Sequence, residues 1–120
     1  MDPFIKEIQQ ITTVEDAIVK LSTQTEISPK LNEIINFIIQ AHEGQFRKSG
    51  EPYCVHPILV ASITAHFSKD EAIIATALLH DVVEDTNYSL DYIKEKWGND
   101  IAHMVDGLTK IVEIREHEFI

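Results

Sequence analysis

Cysteine occurs once in the 120 residues, at Cys54, so no internal disulfide framework can form. A lone thiol fits a reducing compartment, and its simplest role is as a small apolar filler of the interior. No apolar run approaches the ~18 residues needed to cross a bilayer, and no signal peptide opens the chain. The expected location is therefore cytoplasmic, with no membrane partner. Basic residues are also scarce: 10 Lys and Arg stand against 20 Asp and Glu, for a net charge of −10. That balance argues against a general nucleic-acid or membrane-surface binder. An anionic ligand would have to be attracted by a metal or by a local basic patch, against the overall field. Clear strand alternation is missing too, as is any internal repeat.

What is present is helical periodicity. A hydrophobic content of 44% with 25% charged residues is ordinary for a folded chain, so residues 1–120 read as one domain with a real core. Residues 3 to 22 carry Phe4, Ile5, Ile8 and Ile11 at helical spacing, then Thr13 three residues before Asp16, as one or two short amphipathic helices. Ser28-Pro29 opens an apolar helix through Ala41, with serine as N-cap and proline at the first position. Asp70 caps a helix that runs into position 80, Ser89 caps one that Gly98 stops, and Asp100 starts another with Ile101, Met104, Val105 and Leu108 in register. The fold class is all-α, a bundle of about six helices.

The chemistry gathers in Ala77-Leu78-Leu79-His80-Asp81-Val82-Val83-Glu84-Asp85-Thr86. At ~100° per residue, positions 80 and 84 fall on one side of a continuing helix, as do 81 and 85. One helix end would then present an imidazole and three carboxylates within a turn. Carboxylates so close repel one another, and a helix C-terminus is the unfavourable pole for them, unless a cation, a proton or a base relieves them. A solvated acidic helix end is the bland alternative; a bound metal explains the cluster more simply.

Two further stretches matter. Phe46 to Tyr53 is a loop by its Gly50 and Pro52, and it holds the basic cluster Arg47-Lys48, followed by Ser49. A guanidinium, an ammonium and a hydroxyl can contact an anion or a nucleobase, although on this tripeptide alone a solvated loop is the better explanation. His56-Pro57 then opens a helix, with His56 expected in the N-cap region. It lies 24 residues before His80, about two helices and a turn. Antiparallel helices would bring His56 beside His80 and Asp81, a donor set suited to a divalent transition metal. His42, at the end of an apolar helix, reads as a hydrogen-bonded core histidine.

Four ordered motifs carry a resemblance: Arg47-Lys48-Ser49-Gly50-Glu51-Pro52-Tyr53, His56-Pro57-Ile58-Leu59-Val60-Ala61, the stretch from Ala77 to Thr86, and Val105-Asp106-Gly107-Leu108-Thr109-Lys110. Together they closely resemble the N-terminal HD hydrolase domain of the RelA/SpoT homologue family, which degrades the alarmone (p)ppGpp. The resemblance implies a Mn²⁺-dependent pyrophosphohydrolase that removes the 3′-diphosphate of ppGpp or pppGpp, giving GDP or GTP and pyrophosphate. It implies His56, His80 and Asp81 as metal ligands, and Glu84 and Asp85 as the acidic pair that positions and activates water. Arg47, Lys48 and Ser49 match the loop that holds the guanine nucleotide.

The sequence departs from the family pattern in one respect. A fourth ligand, an aspartate in a Leu-Ala-Asp-Arg-Leu-His-like motif, has no counterpart before Ile120. Asp106, Glu113, Glu116 and His117 are the acidic or imidazole groups that could stand in, and none matches the motif. The expectation is an HD-type domain whose C-terminal part is missing, with residues 1–29 as a helical lead-in. Such a piece should hydrolyse poorly, and its exposed helix faces could pair in a homodimer. The alternatives are an HD phosphohydrolase acting on another nucleotide and a non-catalytic regulatory module.

Overall fold

The computed structural model describes the backbone of residues 2–119 and the side chains of residues 2–111. The described residues form eight helices: α1 (Pro3–Gln9), α2 (Val14–Gln24), α3 (Pro29–Ala41), α4 (Val55–Phe67), α5 (Glu71–Leu79), α6 (Val82–Asp85), α7 (Leu90–Trp97) and α8 (Asn99–Phe119). No strand forms among them; one isolated antiparallel bridge joins Phe46 and Pro52. The all-α expectation holds. The count exceeds about six because the lead-in is two helices and because the helix expected to run through position 80 breaks there.

The helix starts follow from local chemistry. Thr13 accepts from the Asp16 amide, Ser28 from the Leu31 amide and Ser89 from the Tyr92 amide. Asp70 accepts from both Ala72 and Ile73. Each cap satisfies amides that have no partner inside the helix. At the far end of α7, Gly98 adopts φ +103°, a conformation that L side chains rarely take, and its amide closes on the Lys94 carbonyl.

α5 lies at the centre, packed against α3, α4 and α8, while α2 covers α4 and α7 covers α8. Its residues Ile74 to Leu79 are all buried, as the unbroken apolar run requires. The one hydroxyl among them, on Thr76, donates to the Ala72 carbonyl at 2.8 Å and so carries no unsatisfied donor into the core. Ile34, Ile38, Ile58 and Val105 join α5 in a single apolar cluster. Cys54 is buried, and burial pushes its thiol pKa up, in keeping with a filler rather than a reactive group.

The end of α5 sets the position of the candidate site. His80 Nδ1 lies 2.6 Å from the Ala77 carbonyl, the acceptor that the Asp81 amide would need to extend the helix. The chain turns there instead, through φ −98°, ψ −3° at Asp81, and restarts as the single-turn α6. His80 and Asp81 thus sit at a joint between helices rather than on one continuous face.

Ile74 has no exposed surface and Val19 is 60% exposed. Ile74→Ala is expected to lower the unfolding free energy by about 2–5 kcal/mol, and Val19→Ala by no more than about 0.5 kcal/mol. Urea denaturation followed by circular dichroism checks both; equal effects would remove α5 from the centre of the core.

Candidate functional site

Two joints meet here: the α5–α6 break and the entry to α4. Between α3 and α4 the chain makes a small hairpin, in which Arg47 N–H donates to the Glu51 carbonyl at 2.9 Å and Tyr53 N–H to the Gln45 carbonyl at 2.9 Å. Gly44 and Gly50 take positive φ to allow it. Then Val55 N–H donates to Pro52 and His56 N–H to Tyr53, so a tight turn winds directly into α4. His56 is accordingly the second residue of α4, not its N-cap; Cys54 takes that place without a side-chain cap. Pro57 sits third, still within the first turn, where a missing amide costs nothing.

From these joints three side chains converge. His80 Nε2 is 3.0 Å and His56 Nε2 3.5 Å from Asp81 Oδ2, and the two rings lie 5.4 Å apart at 63°. One donor atom from each of the three residues falls within 4.8 Å of the others. One ion with bonds of ~2.0–2.2 Å can bridge atoms so spaced. The His80 ring is also set for it. A carbonyl only accepts, so the contact with Ala77 places the proton on Nδ1 and leaves Nε2 to face Asp81 and His56. Two imidazole nitrogens and a carboxylate fit a divalent metal.

Burial and neighbouring charge shift all three groups. Burial opposes charge on His80, but the bond to Asp81, the Ala77 carbonyl and the nearby carboxylates outweigh it and raise its pKa above the ordinary 6.5. Burial works on Asp81 in the opposite sense, and the bonds from His80 and Tyr53 outweigh it and lower its pKa. For His56, burial dominates over the attraction of Asp81, with Arg47 and His80 adding to it, and its pKa falls.

Asp85 joins this group through a residue that the sequence reading left in the loop. Tyr53 Oη lies 2.8 Å from Asp81 Oδ2 and 3.0 Å from Asp85 Oδ2. Burial and the two carboxylates push its pKa well up, so the phenol stays a donor. Gln45 Nε2 donates to the Asp85 carbonyl at 2.6 Å, while Gln45 Oε1 is 3.1 Å from His42 Nδ1. His42 is buried, as expected of a core histidine, and its Nε2 has no hydrogen-bond partner. Tyr53 stands three residues before His56, a spacing that shares a face only once both lie in the same turn. That spacing was the available signal.

Glu84 and Asp85 are both exposed on α6, and Asp85 is tied to the cluster through Tyr53. Arg47, Lys48 and Ser49 are exposed at the hairpin tip. The Arg47 guanidinium lies 5.9 Å from the Tyr53 ring centroid, and with His56, Leu59 and Ile63 it lines a cavity of about 270 Å³. Ser49 Oγ donates to Glu51 Oε1 at 2.8 Å. Asp106 pairs with Lys110 at 2.9 Å and is not among the converging residues. The side chains of Glu113, Glu116 and His117 lie outside the described residues.

Metal binding at His80 Nε2 competes with protonation there, which the neighbouring carboxylates favour. Affinity for Mn²⁺ or Zn²⁺ should therefore rise about tenfold per pH unit while His80 is charged, and level off once pH passes its raised pKa. Isothermal titration across the range checks this: a plateau beginning below 6.5 would assign the proton to another group.

The HD domain family matches residues 35–118. Over 75 residues the chain is 51% identical to a guanosine-3′,5′-bis(diphosphate) 3′-pyrophosphohydrolase of Haemophilus influenzae, covering 62% of this chain and 11% of the relative. Over 111 residues it is 35% identical to the enzyme of that name from Aquifex aeolicus, covering 92% of this chain and 16% of the relative. A GTP pyrophosphokinase of Myxococcus xanthus is 51% identical over 72 residues, 60% of this chain and 10% of the relative. The chain thus spans only 10% to 16% of the length of these relatives. With an adjacent His80-Asp81 pair at its focus and a family match over most of its length, the chain belongs to the HD domain family.

Proposed function

We propose that this chain is a metal-dependent hydrolase of the guanine nucleotide alarmone (p)ppGpp, releasing pyrophosphate from its 3′ position and leaving GDP or GTP. The observation that carries the reading is the convergence of His56, His80 and Asp81 with a further carboxylate, Asp85, held beside them. The names of the Haemophilus and Aquifex relatives supply the substrate.

In this reading His56, His80 and Asp81 hold the cation, proposed to be Mn²⁺. When bound, it supplies positive charge against the phosphates and makes water more acidic. Asp85, exposed but tied at one oxygen, is placed to take a proton from water, and Glu84 shares its turn of helix. Arg47 and Lys48 provide positive charge at the rim, which a chain of net charge −10 needs if it is to receive a polyanion. Ser49 stiffens that rim through Glu51. A single buried cysteine and the absence, among the described residues, of a helix long and apolar enough to cross a membrane support a cytoplasmic site of action.

Glu84→Gln combined with Asp85→Asn is expected to lower pyrophosphate release from ppGpp by at least about 100-fold while Mn²⁺ still binds. Loss of metal affinity in step with activity would make these residues ligands; near-normal turnover would remove them from the mechanism. Three donors are few for Mn²⁺, which favours oxygen. The 120-residue chain should therefore turn over slowly, and a longer chain that contributes a further aspartate should be faster. Equal rates for the two would show that residues 1–120 supply the whole donor set. Release from other nucleotides at rates matching ppGpp would overturn the substrate assignment.

A further inference from the structure

Tyr53 is bound on every side that could let it move. Its amide donates to Gln45 and its carbonyl accepts from His56, so its backbone is fixed between the hairpin and the first turn of α4. Its ring lies 4.9 Å from the ring of buried His42 and 6.0 Å from that of His56, with the Arg47 guanidinium 5.9 Å from its centroid. A phenol so held cannot follow the carboxylates. They must come to it. Asp81 and Asp85 both place an Oδ2 within 3.0 Å of its hydroxyl, although like charges would otherwise turn these side chains apart.

The hydroxyl has one proton for two acceptors, so the contact is shared rather than two full bonds. Asp81 is fixed by His80 in any case. Asp85 is different: it is exposed at the end of the single-turn α6, where Tyr53 holds its carboxylate and Gln45 its carbonyl. An exposed aspartate side chain samples several rotamers, and only one of them faces Asp81.

We infer that Tyr53 is a positioning residue: its hydroxyl selects the Asp85 rotamer that faces the His56–His80–Asp81 cluster, and so sets where the proton-accepting oxygen stands. The role assigned to Asp85 rests on the hydrolase reading, while the link between Tyr53 and Asp85 does not.

Two measurements separate these claims. In a double-mutant cycle on pyrophosphate release, Tyr53→Phe keeps the ring and removes the hydroxyl. It should lower kcat about 10- to 100-fold with KM nearly unchanged, and Tyr53→Phe/Asp85→Asn should fall no further than Asp85→Asn alone. Additive losses, or full activity of Tyr53→Phe, would overturn the inference, since a purely packing role multiplies with loss of the base. The second measurement needs neither activity nor a tyrosine variant that folds. In protein labelled with 3-fluorotyrosine, the fluorine resonance of Tyr53 should move on Asp85→Asn and stay in place on Asp91→Asn. A resonance indifferent to Asp85 sinks the link. A longer chain that contributes the further aspartate and is still inert toward ppGpp would overturn the substrate reading and leave the fluorine result to decide on Tyr53.

Discussion

One oxygen atom organises this protein's candidate site. Asp81 Oδ2 is approached by His80 from its own joint, by His56 from the start of α4 and by Tyr53 from the end of the hairpin. Three segments distant in sequence therefore agree on one point. A partly buried carboxylate is tolerated only because these neighbours satisfy it, and each neighbour is fixed in turn by a backbone contact of its own. His80 is held by Ala77, and Tyr53 by Gln45. The fold delivers backbone carbonyls and amides to the right places, and these aim the side chains.

Much of the scaffold was legible because its determinants are local. Thr13, Ser28, Asp70 and Ser89 stand immediately before apolar periodic runs, and each caps its helix. The pairing of His56 with His80 and Asp81 could be anticipated because two helices of known length fix the separation of their ends. What escaped depends on competition for single hydrogen-bond partners. The helix through position 80 breaks where the His80 side chain bonds the Ala77 carbonyl, a contact that periodicity does not announce. His56 lies inside its helix because the Pro52–Val55 turn begins winding earlier than Pro57 suggests. Tyr53 reaches carboxylates 28 and 32 residues away, a proximity that no spacing within its own loop could announce.

Charge sets a second constraint. At net −10 the chain repels polyanions on average, and the acidic turn of α6 deepens that locally. Two of the ten basic residues, Arg47 and Lys48, stand exposed side by side on the hairpin next to the site. An anion arriving over the hairpin meets that charge on the side where Arg47 and His56 line a common cavity.

The burial of α5 has a consequence for motion. α5 packs against three other helices, and amides of such an element are expected to exchange last, so His80 and Asp81 hang from a well-protected part of the fold. The hairpin bearing Arg47 and Lys48 has little buried surface and a few backbone bonds, and it can open locally at a lower free energy. The two walls of the site thus run on different clocks. A ligand arriving at the hairpin meets the fast wall first, while the histidine–aspartate frame on the slow one stays closed.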